Sequence, residues 1–292
     1  AAKVAIQTVL SEHMQRQMQE FMIRLNNPQA STEALRNTLF NFVDKMLLQP
    51  HYDTFEYLRG EALTTGAIDW TFNGKRLQVN YGVPAGNLFA NRTGTAHYGG
   101  SASVFWADYR AALALLKGRV RAVVAHPNTI NMIVSNSVNN IIVTQQDLQT
   151  GTYSIAKNVG GSNGPYIQSP DARDRTTLVG YGAEGEIITP TDPDSATLLP
   201  FIPTGKIVLI GDVVPRGFQV GLGGAVEDDT QNLAVGYTHI APTIEGGGAM
   251  GRWADVFVPE HEPWQVVGRS VTNGLPVLEA PEKVVVLSTD MA

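Results

Sequence analysis

The stretch of residues 52–81 constrains the fold of this chain more than any other part of its sequence. Phe55, Leu58 and Ala62 recur at helical spacing, which predicts a helix with one buried face. Beyond this helix, apolar and polar residues alternate on both sides of the Asn73-Gly74 pair, and Asn-Gly suits the turn of a two-residue hairpin. The alternating apolar positions are Ile68, Trp70 and Phe72 before the turn and Leu77, Val79 and Tyr81 after it. The sequence therefore predicts a helix that runs directly into a β-hairpin.

The composition predicts a globular protein that is held together by packing. The chain has 292 residues, of which 43% are hydrophobic and 16% are charged, so it can bury a core as one large or two interleaved domains. It contains no cysteine, which excludes a disulfide framework, a thiolate metal site and a cysteine nucleophile. Its formal net charge is −6 and it has no dense run of Lys and Arg. This balance disfavours a protein that reads nucleic-acid sequence, although weak contact with a nucleic-acid backbone stays open.

Neither a membrane span nor a secretion signal is visible in the sequence. No apolar run approaches the roughly 20 residues that cross a bilayer. The first residues lack the basic start and apolar centre of a signal peptide. We therefore expect a soluble protein with no membrane partner. Because the chain starts at Ala1 without an initiator Met, we also expect that a segment upstream was cleaved or left out.

Two helices are predicted before the helix and hairpin of residues 52–81. Apolar residues at steps of three and four predict an amphipathic helix over residues 4–25, which stops near Pro28. Ser31 or Thr32 can cap a second helix, and we expect Pro50 to break or kink it. The buried stripe of this second helix is predicted to contain Leu35, Leu39, Phe42, Val43 and Met46.

Helices and strands alternate in the region after the hairpin. A Gly-rich surface loop over residues 83–100 precedes a helix that Ser101 or Ser103 caps and that Lys117 and Gly118 close. The next predicted elements are a strand over Val120–Ala125, a short helix that Pro127 opens, and a strand over residues 139–144.

The remainder of the chain is predicted to be irregular at first and then rich in strands. Residues 145–199 are rich in Gly, Ser, Thr, Asp, Asn and Pro, with short strand-like pieces at 177–179 and 186–188. Ordered irregular segments of this length usually have a binding or interface role. From Ile202 onward, apolar runs separated by Gly and Pro predict a series of strands. No repeat period is visible, which disfavours a solenoid or a propeller.

Two glycine-rich motifs suggest enzyme sites, but neither has the structural context that its chemistry requires. Residues 180–185, GYGAEG, match the GxGxxG cradle of a dinucleotide site, yet a β-like run and two prolines follow where a helix must begin. Residues 160–164, GGSNG, match the nucleophile elbow around Ser162, yet two prolines prevent the helix that this motif also requires. His239 and His261 are conceivable bases, but nothing in the sequence places them near Ser162.

Metal-binding and base-stacking sites are not predicted either. The acidic runs at 227–229 and 192–194 lack the alternating ligand spacing of a calcium loop, and the histidines are too scattered for zinc. The tryptophans are predicted to be core anchors because they are not spaced among basic residues. The scattered histidines are His51, His97, His126, His239 and His261, and the tryptophans are Trp70, Trp106, Trp253 and Trp264. We therefore predict no catalytic, cofactor-binding or metal-binding residue and no enzyme activity.

The order of several segments resembles the lambda E-type major capsid proteins of tailed phages, which have the Hong Kong 97 type shell fold. Residues 53–82 resemble the family's threonine and acidic-aromatic helix, its Ala-Leu-x-x-Gly exit and the hairpin that follows. The other resembling segments are 103–116, 121–133, 200–212 and 267–289, the last with its Leu275-Pro276-Val277 step and a closing strand over 283–288. The resemblance covers most of residues 53–289 and is loosest in the middle.

This resemblance implies an α+β fold with a long spine helix, a peripheral domain and an axial domain. The peripheral domain would span residues 1–118, with the spine helix over about 35–63 and the hairpin over 66–82. Residues 119–250 would form the axial domain, 251–275 would return to the peripheral domain, and 276–292 would add a closing strand to the axial domain. The family's N-terminal arm and E-loop are not evident in this chain. We expect that they lie upstream of Ala1 or that other contacts replace them.

The resemblance also implies a structural function. It implies self-assembly as hexamers and pentamers into an icosahedral shell that encloses double-stranded DNA without sequence specificity, with portal, scaffold and decoration proteins as further partners. The expected location is the virion capsid, after assembly in the cytoplasm of a host bacterium. An encapsulin-like nanocompartment shell protein is one alternative. A serine hydrolase or a nucleotide-binding enzyme is the alternative from a different class.

Overall fold

The computed structural model describes residues 2–10, 16, 37, 40–41, 43–72, 75–147, 149–160, 167–188, 196–212, 235–257 and 266–291. Three α-helices have both of their ends in this part of the chain, α1 (Gln49–Thr65), α2 (Phe105–Leu115) and α3 (Pro127–Ser135), and residues 16, 37, 40 and 41 are also helical. The strands are β1 (Ala2–Leu10), β2 (Ala67–Phe72), β3 (Lys75–Asn80), β4 (Val120–Ala125), β5 (Ile141–Asp147), β6 (Thr152–Lys157), β7 (Arg175–Gly180), β8 (Glu184–Ile188), β9 (Ala196–Pro200), β10 (Lys206–Gly211), β11 (Gly236–Ala241), β12 (Arg252–Phe257), β13 (Val266–Leu278) and β14 (Val284–Ser288).

Helix α1 lies at the centre of the molecule and continues a turn of π-helix over Val43–Leu48. Pro50 lies in the first turn of α1, where a missing backbone N–H costs no hydrogen bond. This proline therefore lies at the start of the α-helix, where π-helix changes to α-helix, and it does not break the chain of helical residues. The helix ends at Gly66, whose φ of 73° is the left-handed conformation common at helix C-termini. The first half of the predicted spine helix falls mostly outside the described residues, as do the predicted caps Ser31 and Thr32.

The predicted hairpin is present after α1. Strands β2 and β3 pair in antiparallel register from Ala67 opposite Asn80 to Phe72 opposite Lys75, and the two turn residues lie outside the described part. Ile68 and Trp70 are buried in one cluster with Phe55 and Leu58 of α1. The hairpin therefore folds back onto the helix that precedes it.

A four-stranded sheet packs against one side of α1, with β13 at its centre. Strand β1 pairs along one edge of β13, and β11 and β12 pair one after the other along the opposite edge, all antiparallel. Ser270 of β13 contacts His51 of α1, and Gly274 lies against the ring of Phe55 so closely that a Cβ there would overlap it. Small side chains on β13 therefore let α1 approach the sheet.

A six-stranded sheet forms the second layer, in the order β14-β10-β4-β7-β6-β5. The pair β4 and β7 is parallel and the other pairs are antiparallel. Helices α2 and α3 cover one face of this sheet, and the other face packs near the end of α1 through Leu63. The main buried side chains between the helices and the sheet are Tyr98, Phe105, Tyr109, Ile130, Ile133, Leu178, Ile207, Leu209, Val285 and Leu287.

The predicted N-terminal helix over residues 4–25 is wrong in its first part, because Ala2–Leu10 is strand β1. All nine residues of β1 pair with β13, from Ala2 opposite Gly274 to Leu10 opposite Val266. The segment contains β-branched residues that suit a strand, and its helical spacing gave no hint of a partner more than 250 residues away. Apart from residue 16, the rest of the predicted helix falls outside the described residues.

The predicted strand-like pieces at 177–179 and 186–188 lie in β7 and β8, but the described part of residues 145–199 contains more strand than predicted. Strands β6 and β7 extend the six-stranded sheet, and β8 and β9 form a separate hairpin that contacts α1.

The predicted cap of α2 needs a smaller correction, because Val104 is its N-cap residue and Ser103 Oγ accepts a hydrogen bond from the Phe105 N–H at 3.4 Å. The predicted closure at Lys117 and Gly118 is present, since both have positive φ.

The two sheets divide the helices and strands differently from the residue ranges predicted for the peripheral and axial domains. Helix α2 belongs to the core of the six-stranded sheet, although residues 105–115 lie in the range predicted for the peripheral domain. Strand β11 pairs with β13 in the four-stranded sheet, although residues 236–241 lie in the range predicted for the axial domain. The assignment of peripheral and axial domains, with its boundaries, stays a prediction.

Candidate functional site

A buried histidine and serine form the contact that most resembles a catalytic pair. His51 Nε2 lies 2.7 Å from Ser270 Oγ, and Ser270 Oγ donates to the Leu47 carbonyl at 2.8 Å. Because the serine proton is already donated to Leu47, His51 Nε2 must carry the proton that it shares with Ser270. Both side chains are fully buried, so no substrate can reach the hydroxyl. The pair therefore joins α1, the π-helical turn and β13.

Burial sets the charge of this histidine. Loss of hydration on burial, and to a smaller extent the nearby Arg252 cation, lower the pKa of His51 to about 4. His51 is therefore neutral near pH 7. Three buried polar atoms without a hydrogen-bond partner belong to this junction of α1 with the four-stranded sheet, namely His51 Nδ1, Arg252 Nε and Thr272 Oγ1.

The motifs weighed in the sequence do not form a site in the described residues. Strand β7 ends at Gly180 and β8 begins at Glu184, so a strand follows the GxGxxG match where a nucleotide site needs a helix. Ser162 and His261 lie outside the described residues, as do the acidic runs and Trp264. His239 lies exposed on β11 beside the ring of Tyr237.

The other tryptophans and His126 have structural positions in the described residues. Trp70 and Trp106 are buried, as predicted for core anchors, whereas Trp253 is half-buried beside the Arg269 guanidinium. His126 caps α3 through its side chain. No cluster of three or more histidine or acidic side chains that could hold a metal ion occurs in the ranges that the structure describes.

Two arginine–carboxylate pairs fix loops onto α2. Arg92 donates through two nitrogens to Asp108, each at 2.7 Å, and the Tyr98 hydroxyl donates to the same carboxylate at 3.0 Å. Arg110 makes the same two-nitrogen contact with Asp174, again at 2.7 Å. Because both carboxylates are buried, these pairs hold the surface segments in one arrangement.

The two edges of the six-stranded sheet differ. The segment after the hairpin covers the β14 edge, because the Phe89 N–H donates to the Val286 carbonyl and the Arg92 N–H donates to the Ser288 carbonyl, both at 2.9 Å. No described strand pairs with the outer edge of β5, which carries the exposed Val143. An open edge of this kind can pair with another chain.

A ten-residue loop leaves the edge of the four-stranded sheet, and we call residues 242–251 the edge loop. Ala241, the last residue of β11, lies opposite Asn273, and Arg252, the first residue of β12, lies opposite the adjacent Thr272. β11 and β12 are therefore two halves of one edge strand, and the edge loop is an excursion between them. Two of its exposed side chains are large and apolar, Ile244 at 92% and Met250 at 80% of their full exposure.

An open apolar groove lies beside α1, and we call it the α1 groove. Its volume is about 430 Å³, and a smaller hollow of about 200 Å³ shares Arg59, Leu63 and Ile210 with it. Most of its surface is aliphatic, with the Arg59 and Arg121 side chains among its lining. The other lining residues are Ala62, Leu63, Ala122, Ile210, Val235, Gly236, Tyr237, Thr238, Pro276, Val277 and Leu278.

The sequence did not predict the edge loop or the α1 groove. The loop is recognisable only from the register of β11 and β12 on β13, and the groove only from the packing of α1 beside both sheets. Within the described residues, no helix is both long and apolar enough to cross a membrane.

The fold matches that of a solved phage protein. The chain superposes with a TM-score of 0.55 on a protein assigned as the capsid protein of a prophage in E. coli CFT073. The superposition covers 99% of this chain and 77% of that chain, at 10% sequence identity. This chain has a phage capsid fold. The predicted α+β class and the predicted Hong Kong 97 type shell fold are therefore confirmed.

Other comparisons add little to this capsid fold. A phage-related protein from Bordetella bronchiseptica RB50 aligns at a TM-score of 0.44 and 8% identity, over 98% of this chain and 75% of that one. The holo-SrpI encapsulin from Synechococcus elongatus PCC 7942 aligns at 0.43 and 12% identity, over 98% and 73%. No family model matches the sequence, and no curated protein matches it.

Proposed function

We propose that this chain is the major capsid protein of a tailed bacteriophage, which assembles as hexamers and pentamers into an icosahedral shell around double-stranded DNA. The observation that carries the proposal is the capsid fold, because the superposition on the prophage protein extends over 99% of this chain. The segments that resemble the lambda E-type capsid proteins support the same function. Portal, scaffold and decoration proteins are proposed as further partners, and the virion as its final location after assembly in the bacterial cytoplasm.

The surface of the subunit suits repeated contact with copies of itself. No strand in the described ranges pairs with the outer edge of β5, the edge loop presents two apolar side chains, and the described lining of the α1 groove is mostly apolar. Contacts between different surfaces of identical subunits close into rings, and a second interface joins rings into a shell. The buried pair of Arg92 with Asp108 would keep the segment after the β2–β3 hairpin in a fixed shape on α2 before subunits meet.

The charge of the chain suits a container for DNA. A formal net charge of −6 would on balance repel the phosphate backbone, which suits a shell that encloses the genome without gripping it. We also propose that the chain has no enzyme activity, and the sealed His51–Ser270 pair supports this, because its hydroxyl is out of reach of solvent.

Particle composition tests the proposal. The chain is expressed with its neighbouring phage genes, particles are purified by sedimentation, and nuclease-protected nucleic acid is measured. We expect particles that contain protected double-stranded DNA and one portal vertex. Closed particles filled with an enzyme and free of protected DNA would favour a nanocompartment shell, the alternative that the sequence left open.

A further inference from the structure

We propose that the subunit binds one internal water molecule where α1, β12 and β13 meet, and that this water joins the three elements. Its partners are His51 Nδ1 of α1, Arg252 Nε of β12 and Thr272 Oγ1 of β13. The site lies inside a single subunit, so the proposal goes beyond the shell function and does not depend on it.

The first argument is that the three side chains come from one place in the fold. Arg252 lies directly opposite Thr272 in the pairing of β12 with β13. Ser270, whose Oγ lies 2.7 Å from His51 Nε2, is two residues before Thr272 and therefore on the same face of the sheet. The guanidinium carbon of Arg252 lies 3.4 Å from the centre of the Tyr52 ring, and Tyr52 follows His51 in α1. The side chains therefore meet between the sheet and α1.

The second argument is that the three polar atoms are buried without a partner. The side chains of His51 and Thr272 are fully buried, and Arg252 Nε is buried as well. None of the three atoms has a hydrogen-bond partner among the described residues. A buried polar atom without a partner raises the free energy of the folded chain, and internal water commonly satisfies such atoms. One bound molecule that pairs with all three would remove this cost.

The third argument is that the donors and acceptors suit water. His51 Nε2 already donates to Ser270, so His51 Nδ1 carries a lone pair and can only accept. Arg252 Nε carries one proton and can only donate, whereas the Thr272 hydroxyl can do either. A water molecule accepts from Arg252, donates to His51 and has a proton and a lone pair left for Thr272. Every polar atom of the site is then paired.

The fourth argument is that other small ligands suit the site less well. A metal cation would meet the positive guanidinium of Arg252. An anion such as chloride binds to donors, and it would face the lone pair of His51 Nδ1. The ligand must therefore be neutral and able both to donate and to accept, and full burial of His51, Ser270 and Thr272 requires it to be small. Water meets all of these conditions.

The direction of a stability change tests the proposal. Thr272→Val replaces the hydroxyl with a methyl group of similar size, and urea unfolding of unassembled subunits is measured at pH 7. Because the variant loses a hydrogen bond to the water, the ratio of folded to unfolded chain is expected to fall about tenfold. An unchanged or higher ratio overturns the proposal, since it would mean that the hydroxyl has no partner to lose. Thr93→Val, at an exposed residue, is the matched control and is expected to leave the ratio unchanged.

A double-mutant cycle tests whether the atoms share one molecule. His51→Phe and Thr272→Val are measured separately and together. Either change alone is expected to disrupt the shared water, so the combined fold-change is expected to be smaller than the product of the two single fold-changes. A combined effect equal to that product overturns a shared water. If His51→Phe does not fold, Arg252→Met replaces it, because methionine keeps an unbranched apolar chain and lacks Nε.

An experimental structure of the full chain that shows ordered water provides the direct observation. We expect a peak about 2.7 to 3.2 Å from all three atoms. A map without this peak, or a direct hydrogen bond between Arg252 and His51, overturns the proposal. A bromide-soaked crystal with anomalous signal at this position also overturns it, since the site would then bind an anion.

The outcomes are independent of the shell function. The unfolding measurements use single subunits, so a negative result leaves the proposed shell standing. A chain that forms no shell likewise leaves these measurements valid.

Discussion

At the scale of single residues, His51 makes the stability of the subunit depend on pH. The pKa of His51 is about 4 in the folded chain and about 6.5 when unfolded, so the unfolded chain binds more protons between these values. The contribution of neutral His51 to the free energy of unfolding is fully present above pH 6.5. It is lost as the pH falls towards 4, and the total loss is about 3 kcal/mol. The charged side chain that faces His51 is Arg252 of β12, and it opposes protonation in the same direction.

We predict that His51→Gln removes this part of the pH dependence. Urea unfolding of unassembled subunits is measured at pH 7 and at pH 4.5 for the natural chain and the variant. The natural chain is expected to lose more stability on acidification, because the variant lacks the imidazole that takes up a proton on unfolding. Equal losses in both proteins would contradict the role given to His51.

The buried carboxylate of Asp108 is expected to be another sensitive residue. Asp108→Asn replaces an acceptor of two arginine hydrogen bonds and one tyrosine hydrogen bond with a group that presents N–H to the Arg92 cation. We predict a loss of about 2 to 3 kcal/mol in the free energy of unfolding, measured by urea denaturation. Asp255→Asn is the control, because Asp255 and Arg269 are both exposed and 3.5 Å apart, and a change within about 0.5 kcal/mol is expected. Similar losses for the two variants would show that burial does not decide the effect.

At the scale of elements, the close approach of α1 to the segment after β9 is expected to tolerate no added side chain. A Cβ on Gly60 would overlap the backbone carbonyl of Phe201, which cannot move as a side chain can. We predict that Gly60→Ala lowers the free energy of unfolding by about 2 kcal/mol or more, measured by thermal and urea unfolding. Gly86→Ala is the matched control, because no atom lies within 4 Å of a Cβ there, and its stability is expected to be unchanged. Equal stability of the two variants would contradict the packing of α1.

The elements that the sequence predicted best are those with local signals. The β2–β3 hairpin, strand β4 and the helix that Pro127 opens all follow from neighbouring residues, through a turn dipeptide, a β-branched run and a proline at a helix start. β1 was missed because its pairing partner β13 lies at the other end of the chain. Strand β6 was missed because it is short and lies in a stretch rich in Gly, Ser and Thr, so only its pairing with β5 and β7 identifies it.

The edge loop and the α1 groove could be predicted from the sequence even less than strands β1 and β6, because they depend on tertiary structure. The apolar residues of the edge loop look ordinary in the sequence, because only the register on β13 shows that they leave the sheet. The α1 groove collects residues from α1, β4, β10, β11 and β13, which no single stretch of sequence brings together. The resemblance to capsid proteins implied contacts between copies but named no residue for them.

At the scale of the whole molecule, the proposed function requires that weak contacts act together. A single contact between two subunits need not be strong, because every subunit in a closed shell makes several of them at once. Among the described residues, the unpaired edge of β5, the edge loop and the α1 groove are three separate surfaces, so the proposed shell could use more than one of them in each subunit. The formal charge of −6 opposes association slightly, so added salt is expected to favour assembly.

The shell itself is the central claim, and electron microscopy of the expressed chain over a wide range of protein concentrations tests it most directly. We expect closed particles of uniform size whose image averages show hexamers and pentamers of this chain. A chain that stays monomeric at every concentration would contradict the claim.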